Sequence, residues 1–245
     1  MNRTKQAAIN ASGALFVVFL VFLAGLLVAE PLVMPPAEDV MEAFALIITT
    51  QMSVVMMTLL RLVLVLVLAS FSGITLGLLA GTHPSLRSFL TPMMTILRTL
   101  PVISVIVVVL VVAGFSLTPY VVTFAIIMPV LYQATNDAVE ATDQAYVDVF
   151  LLESGSLTQR LLRCHLPLIV VPLSTATLHA IGLGIKVLVM TEYLSQTPDS
   201  VGYTLFRAKT DLRYDRVFAW TLVLVILVLV IEWMVTKAKK RHTMT

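Results

Sequence analysis

Between Met52 and Gly81 the chain runs for thirty residues with one charge, Arg61. A hydrocarbon core about 30 Å thick is crossed by about 20 apolar residues in helical form. In lipid every backbone polar group must be satisfied within the segment or a closed barrel, so a run of this kind folds as a membrane-crossing helix. Comparable runs occur at about Ala14–Ala29, Met94–Phe115, Val121–Gln133, Leu168–Met190 and Val217–Val235. Hydrophobic residues make up 59% of the chain and charged residues 12%, about half the ~25% of a soluble domain. The expected fold is an all-α polytopic membrane protein of about six transmembrane helices. A length of 245 residues accommodates one membrane domain and no separate soluble catalytic one. The run from Met52 exceeds a single crossing, so its helix tilts or extends past the bilayer.

The expected organisation is a cytoplasmic leader over 1–13, a transmembrane domain over 14–236 and a basic cytoplasmic tail over 237–245. The first run could pass for a signal peptide, but Leu27-Val28-Ala29-Glu30-Pro31 offers no small-x-small cleavage site, which favours a retained helix. A short surface helix is expected over Ala37–Thr50. Lys and Arg set the orientation. With the N-terminus inside, inner segments hold Arg3, Lys5, Arg87, Arg160, Arg163, Lys237, Lys239, Lys240 and Arg241, against Arg207, Lys209, Arg213 and Arg216 outside. Both termini are therefore expected in the cytoplasm. Cys164 is the only cysteine, and His83, His165, His179 and His242 lack ligand spacing, so neither a disulfide nor metal chemistry is expected.

One polar segment interrupts the apolar runs. Asp148–Pro167, inside a loop drawn at 141–167, reads as a helix–turn–helix at the membrane surface. Tyr146, Val149 and Phe150 give an apolar face to a first helix that ends near Ser154-Gly155, where Gly155 supplies the φ a tight turn needs. Ser156-Leu157-Thr158-Gln159 fits a capping box for a second helix, which Pro167 stops. Leu157 and Leu161 share one face, Arg160 and Arg163 another. Exposed apolar residues at such a corner are unfavourable in water unless a partner covers them. The segment reads as a docking element for a soluble partner, or as an amphipathic hairpin resting on lipid headgroups. Elsewhere, Ala69, Gly73, Gly77 and Gly81 on the second run, and Ala176, Ala180 and Gly184 on the fifth, fall four apart. Such stripes let helix backbones approach closely in lipid, either within the chain or at a dimer seam.

With these residues in hand, the sequence resembles the membrane subunit of a bacterial ABC importer of the nitrate/taurine/sulfonate type, which includes transporters of thiamine-precursor pyrimidines. Counted back from Leu166-Pro167, Asp148-Val149-Phe150 stands where that family's cytoplasmic loop has Glu-Ala-Ala, and Ser154, followed by Gly155, stands where it has Gly. Met34-Pro35-Pro36-Ala37-Glu38-Asp39-Val40, Thr58-Leu59-Leu60-Arg61, Gly73-Ile74-Thr75-Leu76-Gly77 and Leu97-Arg98-Thr99-Leu100-Pro101 have counterparts in order. So do Thr191-Glu192-Tyr193-Leu194, Val201-Gly202-Tyr203 and Asp215-Arg216-Val217-Phe218-Ala219. The resemblance implies a permease in the bacterial inner membrane that pairs with a second copy of itself. Two cytoplasmic ATPases would dock on the loop (Asp148, Val149, Phe150, Ser154, Gly155, Leu157, Arg160, Leu166, Pro167), and an extracytoplasmic binding protein would deliver solute. ATP and Mg would belong to the ATPase; with no P-loop, this chain is expected to hold no cofactor and not to be an enzyme. Lipid is an expected partner and nucleic acid is not.

The implied solutes are small polar compounds or anions, so cations inside spans become pathway candidates. These are Lys186, Arg61 and Arg98, with Glu192 as an outer gate or a plain interfacial residue. Each has a structural alternative: Arg61 pairing within the bundle, Arg98 snorkelling to headgroups, Lys186 meeting a carboxylate. Glu192, six residues on from Lys186, lies off its face and is not that carboxylate. Two other functions fit the composition. A motor-independent secondary transporter or channel would favour paired intramembrane carboxylates or inverted repeats, and neither is evident. A non-transporting scaffold that docks a soluble partner through the same loop is the other.

Overall fold

The computed structural model describes residues 35–142 and 166–242. The described chain is helical throughout: α1 Ala37–Thr50, α2 Met52–Thr82, α3 Pro84–Thr99, α4 Val102–Glu140, α5 Leu166–Ser195, α6 Val201–Thr210 and α7 Tyr214–His242. Among these, α2, α4, α5 and the Tyr214–Ile231 part of α7 are long and apolar enough to cross a membrane. The run at Ala14–Ala29 and the docking residues from Asp148 to Arg160 lie outside the described residues.

Two expected spans are redrawn. Met94–Phe115 is not one helix. Pro101 has no N–H to continue a helix and disfavours α geometry in the residue before it, and Leu100 is extended at φ −64, ψ 135. The stretch is divided between the end of α3 and the start of α4. Within α4, Gly114 adopts φ 75, ψ 175, a region open essentially to glycine alone. There the chain doubles back. Ile106 packs with Val122 and Ile126, although a straight helix would hold Ile106 and Val122 about 24 Å apart at 1.5 Å per residue. The expected span Val121–Gln133 is the middle of the longer arm, 115–140.

Gly114 serves this reversal through its backbone alone, since a Cβ there would meet nothing within 4 Å. Gly114→Ala is therefore expected to cost about 1–3 kcal/mol as backbone strain without any steric clash. Thermal unfolding of the detergent-purified protein measures it, and an unchanged midpoint would mean that the reversal tolerates a side chain.

The longer arm of α4 is the centre of the bundle. A Cβ on Gly73 would lie 2.8 Å from Met128 O, one on Gly77 2.6 Å from Thr135 Cβ, and one on Gly81 2.7 Å from Val139 Cβ. Ala69 and Ala180 meet Val65, Ile127 and Leu131 in one cluster, and a Cβ on Gly184 would come within 2.7 Å of Ile127 Cδ1. Both small-residue stripes thus face α4 within the same chain. α1 has the expected bounds, and its inner face, Ala43 and Ile47, packs on Ala219, Trp220 and Val223 of α7.

The contacts separate two ends of the bundle. At one, Leu78, Val139 and Ile169 form a cluster, which brings the end of α4 and the start of α5 to the same end of the bundle. Arg87 is there too, 2.6 Å from Glu140. At the other end, Thr58 of α2 meets Glu192 of α5 and the start of α6. Thr58 and Leu78 are about 30 Å apart along α2, the thickness of a hydrocarbon core.

Candidate functional site

Glu192, in the last turn of α5, is wholly buried. A plain interfacial carboxylate would keep water, so that expectation is corrected. An unpaired carboxylate in an apolar interior is prohibitively costly, and the surroundings supply what it lacks. Arg61 Nη1 donates to Glu192 Oε1 at 3.1 Å. The Thr58 hydroxyl, one turn before Arg61 on α2, is shared between both carboxylate oxygens at 3.2 and 3.0 Å. The Gly202 amide donates to Oε2 at 3.4 Å, bringing the carboxylate to the N-terminus of α6, where a negative charge is favoured.

Arg61 does more than neutralise Glu192. Its Nη1 also donates to Asp199 O at 3.0 Å and its Nη2 to Pro198 O at 3.1 Å. The guanidinium therefore fastens the turn between α5 and α6 to α2. Thr58 Oγ1 accepts from the Val201 amide at 3.0 Å, and Ser200 caps α6 by accepting from Tyr203 N at 3.1 Å. Thr197 donates to Phe115 O at 3.2 Å, which ties the same turn to the chain reversal at Gly114. Gly202 makes the close approach possible. A Cβ there would crowd Tyr193 N and lie 2.5 Å from both Glu192 Cβ and Val189 O, so only glycine lets α6 start directly on α5. The result is a clamp at one end of the bundle in which Arg61 and Glu192 neutralise each other, with Arg61 Nε left without a partner among the described residues.

The other pathway candidates stand apart from the clamp. Lys186 is exposed on α5, over a groove of about 400 Å³ with Val189, Met190, Tyr193, Leu224 and Val228. No ion pair holds it among the described residues. Arg98 is exposed in the last turn of α3, where a cation complements the helix dipole. Of the docking residues, Leu166 packs against Leu78, Val139 and Ile169, and Pro167 is exposed in the first turn of α5. At the clamp end, Arg213 makes a two-pronged contact with Asp215 at 3.0 and 2.8 Å. That hydrogen bonding, and then the charge of Asp215, raises the Arg213 guanidinium above its ordinary range.

The model of one protein family, the binding-protein-dependent transport system inner membrane component, matches residues 73–242. The matched stretch begins inside the glycine stripe of α2 and takes in the reversal, the α5 and α6 side of the clamp and α7, while Thr58 and Arg61 lie before it. The chain belongs to this family. It is thus the permease component of an ABC transporter, a multi-pass protein of the inner membrane. A comparison with curated proteins returned no match. Of the permease residues that build the clamp, sequence reasoning singled out Arg61 and Glu192 but not their union, and gave no role to Thr58 or Gly202. One signal was available: a lone cation and a lone carboxylate in two different apolar spans are each costly apart, and pairing offsets that cost.

Proposed function

We propose that this permease is the membrane subunit of an ATP-driven importer. Two copies form the pathway, two cytoplasmic ATPases dock on the 141–167 loops, and an extracytoplasmic binding protein delivers a small polar or anionic solute, such as a sulfonate, nitrate or a pyrimidine precursor. The observation that carries the reading is the family match over residues 73–242. The geometry supports it. The two helices that flank the loop, α4 and α5, are packed together with α2 through Leu78, Val139 and Ile169. A displacement of the loop by the closing ATPase pair would pass into these three helices at once. Packed helices have discrete arrangements, so such a displacement shifts the balance between inward-open and outward-open states. At the far end the Arg61–Glu192 clamp makes α2, α5 and α6 move together. In this reading both termini are cytoplasmic, and Lys186 faces the pathway.

Docking is tested by Phe150→Asp, which places a charge on the apolar face of the loop. The expected result is loss of the ATPase from the purified complex while the permease stays in the membrane. Retention of the ATPase would remove Phe150 from the docking face.

A further inference from the structure

On the exposed side of α5, Thr175, His179 and Lys186 line up. At 3.6 residues per turn they fall within an arc of about 40°, over about 16 Å of helix. All three are exposed, and they lie in a helix apolar and long enough to cross a membrane. Beyond each end of the row is a groove on the same side of α5. One, of about 580 Å³, holds Leu168 and Pro172 beside Ala134 and Asp137 of α4. The other, of about 400 Å³, contains Lys186 itself with Met190 and Tyr193. Ionisable residues in a span face protein or water rather than lipid, because hydrocarbon leaves them unsatisfied; Thr175, whose hydroxyl donates to Val171 O at 3.4 Å, contributes only its place in the row. Near the middle of α5, His179 has no reach to a headgroup layer at either end. No hydrogen bond or ion pair holds His179 or Lys186 among the described residues. The groove around Lys186 contains one phenol and no carboxylate. Asp137 lies in the other groove, at the opposite end of the row, and accepts from Gln133 Nε2. Glu192 is consumed by Arg61.

From this arrangement we infer that the Thr175–His179–Lys186 face of α5 is the wet wall of the translocation pathway, and that Lys186 selects for anionic solutes. The inference rests on the permease reading above, in which Lys186 faces the pathway; it adds the rest of the wall and narrows the solute to anions. A row that ends in an unneutralised ammonium attracts anions and repels cations, and low-dielectric walls strengthen that bias.

The test uses the whole transporter in native membranes, with Cys164→Ser removing the only native thiol. His179→Cys and Met190→Cys probe the wall, and Phe71→Cys probes an outward apolar position that is 74% exposed. Two impermeant reagents of similar size are compared, the anionic sulfonatoethyl methanethiosulfonate and the cationic trimethylammonioethyl methanethiosulfonate. The wall variants are expected to react and Phe71→Cys to stay inert. Adding Lys186→Gln to either wall variant should lower the anionic-to-cationic rate ratio about tenfold or more, because a charge about 6 to 10 Å along the helix acts in opposite senses on the two reagents. Met190→Cys keeps the test alive if His179→Cys fails to fold. Wall variants as inert as Phe71→Cys would overturn the wet wall. Reaction with a ratio indifferent to Lys186→Gln would overturn anion selection. The same membranes are assayed for the bound ATPase, so a missing motor, which counts against the importer reading, is distinguished from a dry wall.

Discussion

Arg61→Met is expected to lower the thermal midpoint of the detergent-purified permease by roughly 10 °C. Removing one partner of a buried ion pair typically costs about 3–5 kcal/mol, and in a chain of this size each kcal/mol corresponds to roughly 2–4 °C. Here the variant leaves Glu192 fully buried without a counter-charge, and it removes the donors to Pro198 O and Asp199 O. Two further variants separate the charge from the tether. In Arg61→Met/Glu192→Met neither charge remains, so part of the loss is recovered. In the exchange Arg61→Glu/Glu192→Arg the pair is formally restored, yet a carboxylate at 61 cannot donate to the two carbonyls, so no rescue is expected. A melting point unchanged in Arg61→Met, or full rescue by the exchange, would show that the clamp is not built as described.

The second large effect is at Gly77. Its missing side chain leaves α2 in backbone contact with α4: a Cβ would lie 2.6 Å from Thr135 Cβ and 2.7 Å from Tyr132 O. The latter is main chain and cannot rotate away. Gly77→Leu therefore forces the two helices apart and loses the packing that the whole stripe supplies. The cost is expected at or above about 3 kcal/mol, the upper end of ordinary overpacking. Val67→Leu, on the 61% exposed face of the same helix, is the matched control and should leave the midpoint unchanged. The readout is the yield of monodisperse protein together with its thermal midpoint. Normal behaviour of Gly77→Leu would mean that α2 and α4 are not in backbone contact at this position.

These two effects mark where sequence reasoning succeeded and where it stopped. The apolar runs located α2, α5 and the spanning part of α7 because hydrocarbon tolerates no other arrangement of an unbroken apolar segment. The stripe Ala69, Gly73, Gly77, Gly81 announced a close helix contact, since periodicity alone places its members on one face. Its partner, the far arm of α4, depends on the chain reversing at Gly114. Nothing local distinguishes that glycine from one inside a helix, because its role is a φ/ψ choice rather than a pattern. Pro101, with no N–H to continue a helix, divides α3 from α4, yet the expected span Met94–Phe115 runs through it because the flanking residues are predominantly apolar. The clamp was half legible. Arg61 and Glu192 were conspicuous as lone charges. Their meeting joins residues 131 apart in sequence, and the donors that complete it, Thr58, Val201 N and Gly202 N, look ordinary until α6 is seated on α5. His179 was set aside because it lacks metal-ligand spacing; its place in a row with Lys186 is visible only once burial shows which side of α5 is left open.

In the proposed importer this permease is one half of a motor-driven pathway. The most direct test is to express the tagged chain with its genomic neighbours, extract it in mild detergent and weigh the intact complex by native mass spectrometry. Two copies of this chain with two ATP-binding subunits are expected. A chain that emerges alone, or with no nucleotide-binding partner, would contradict the importer reading.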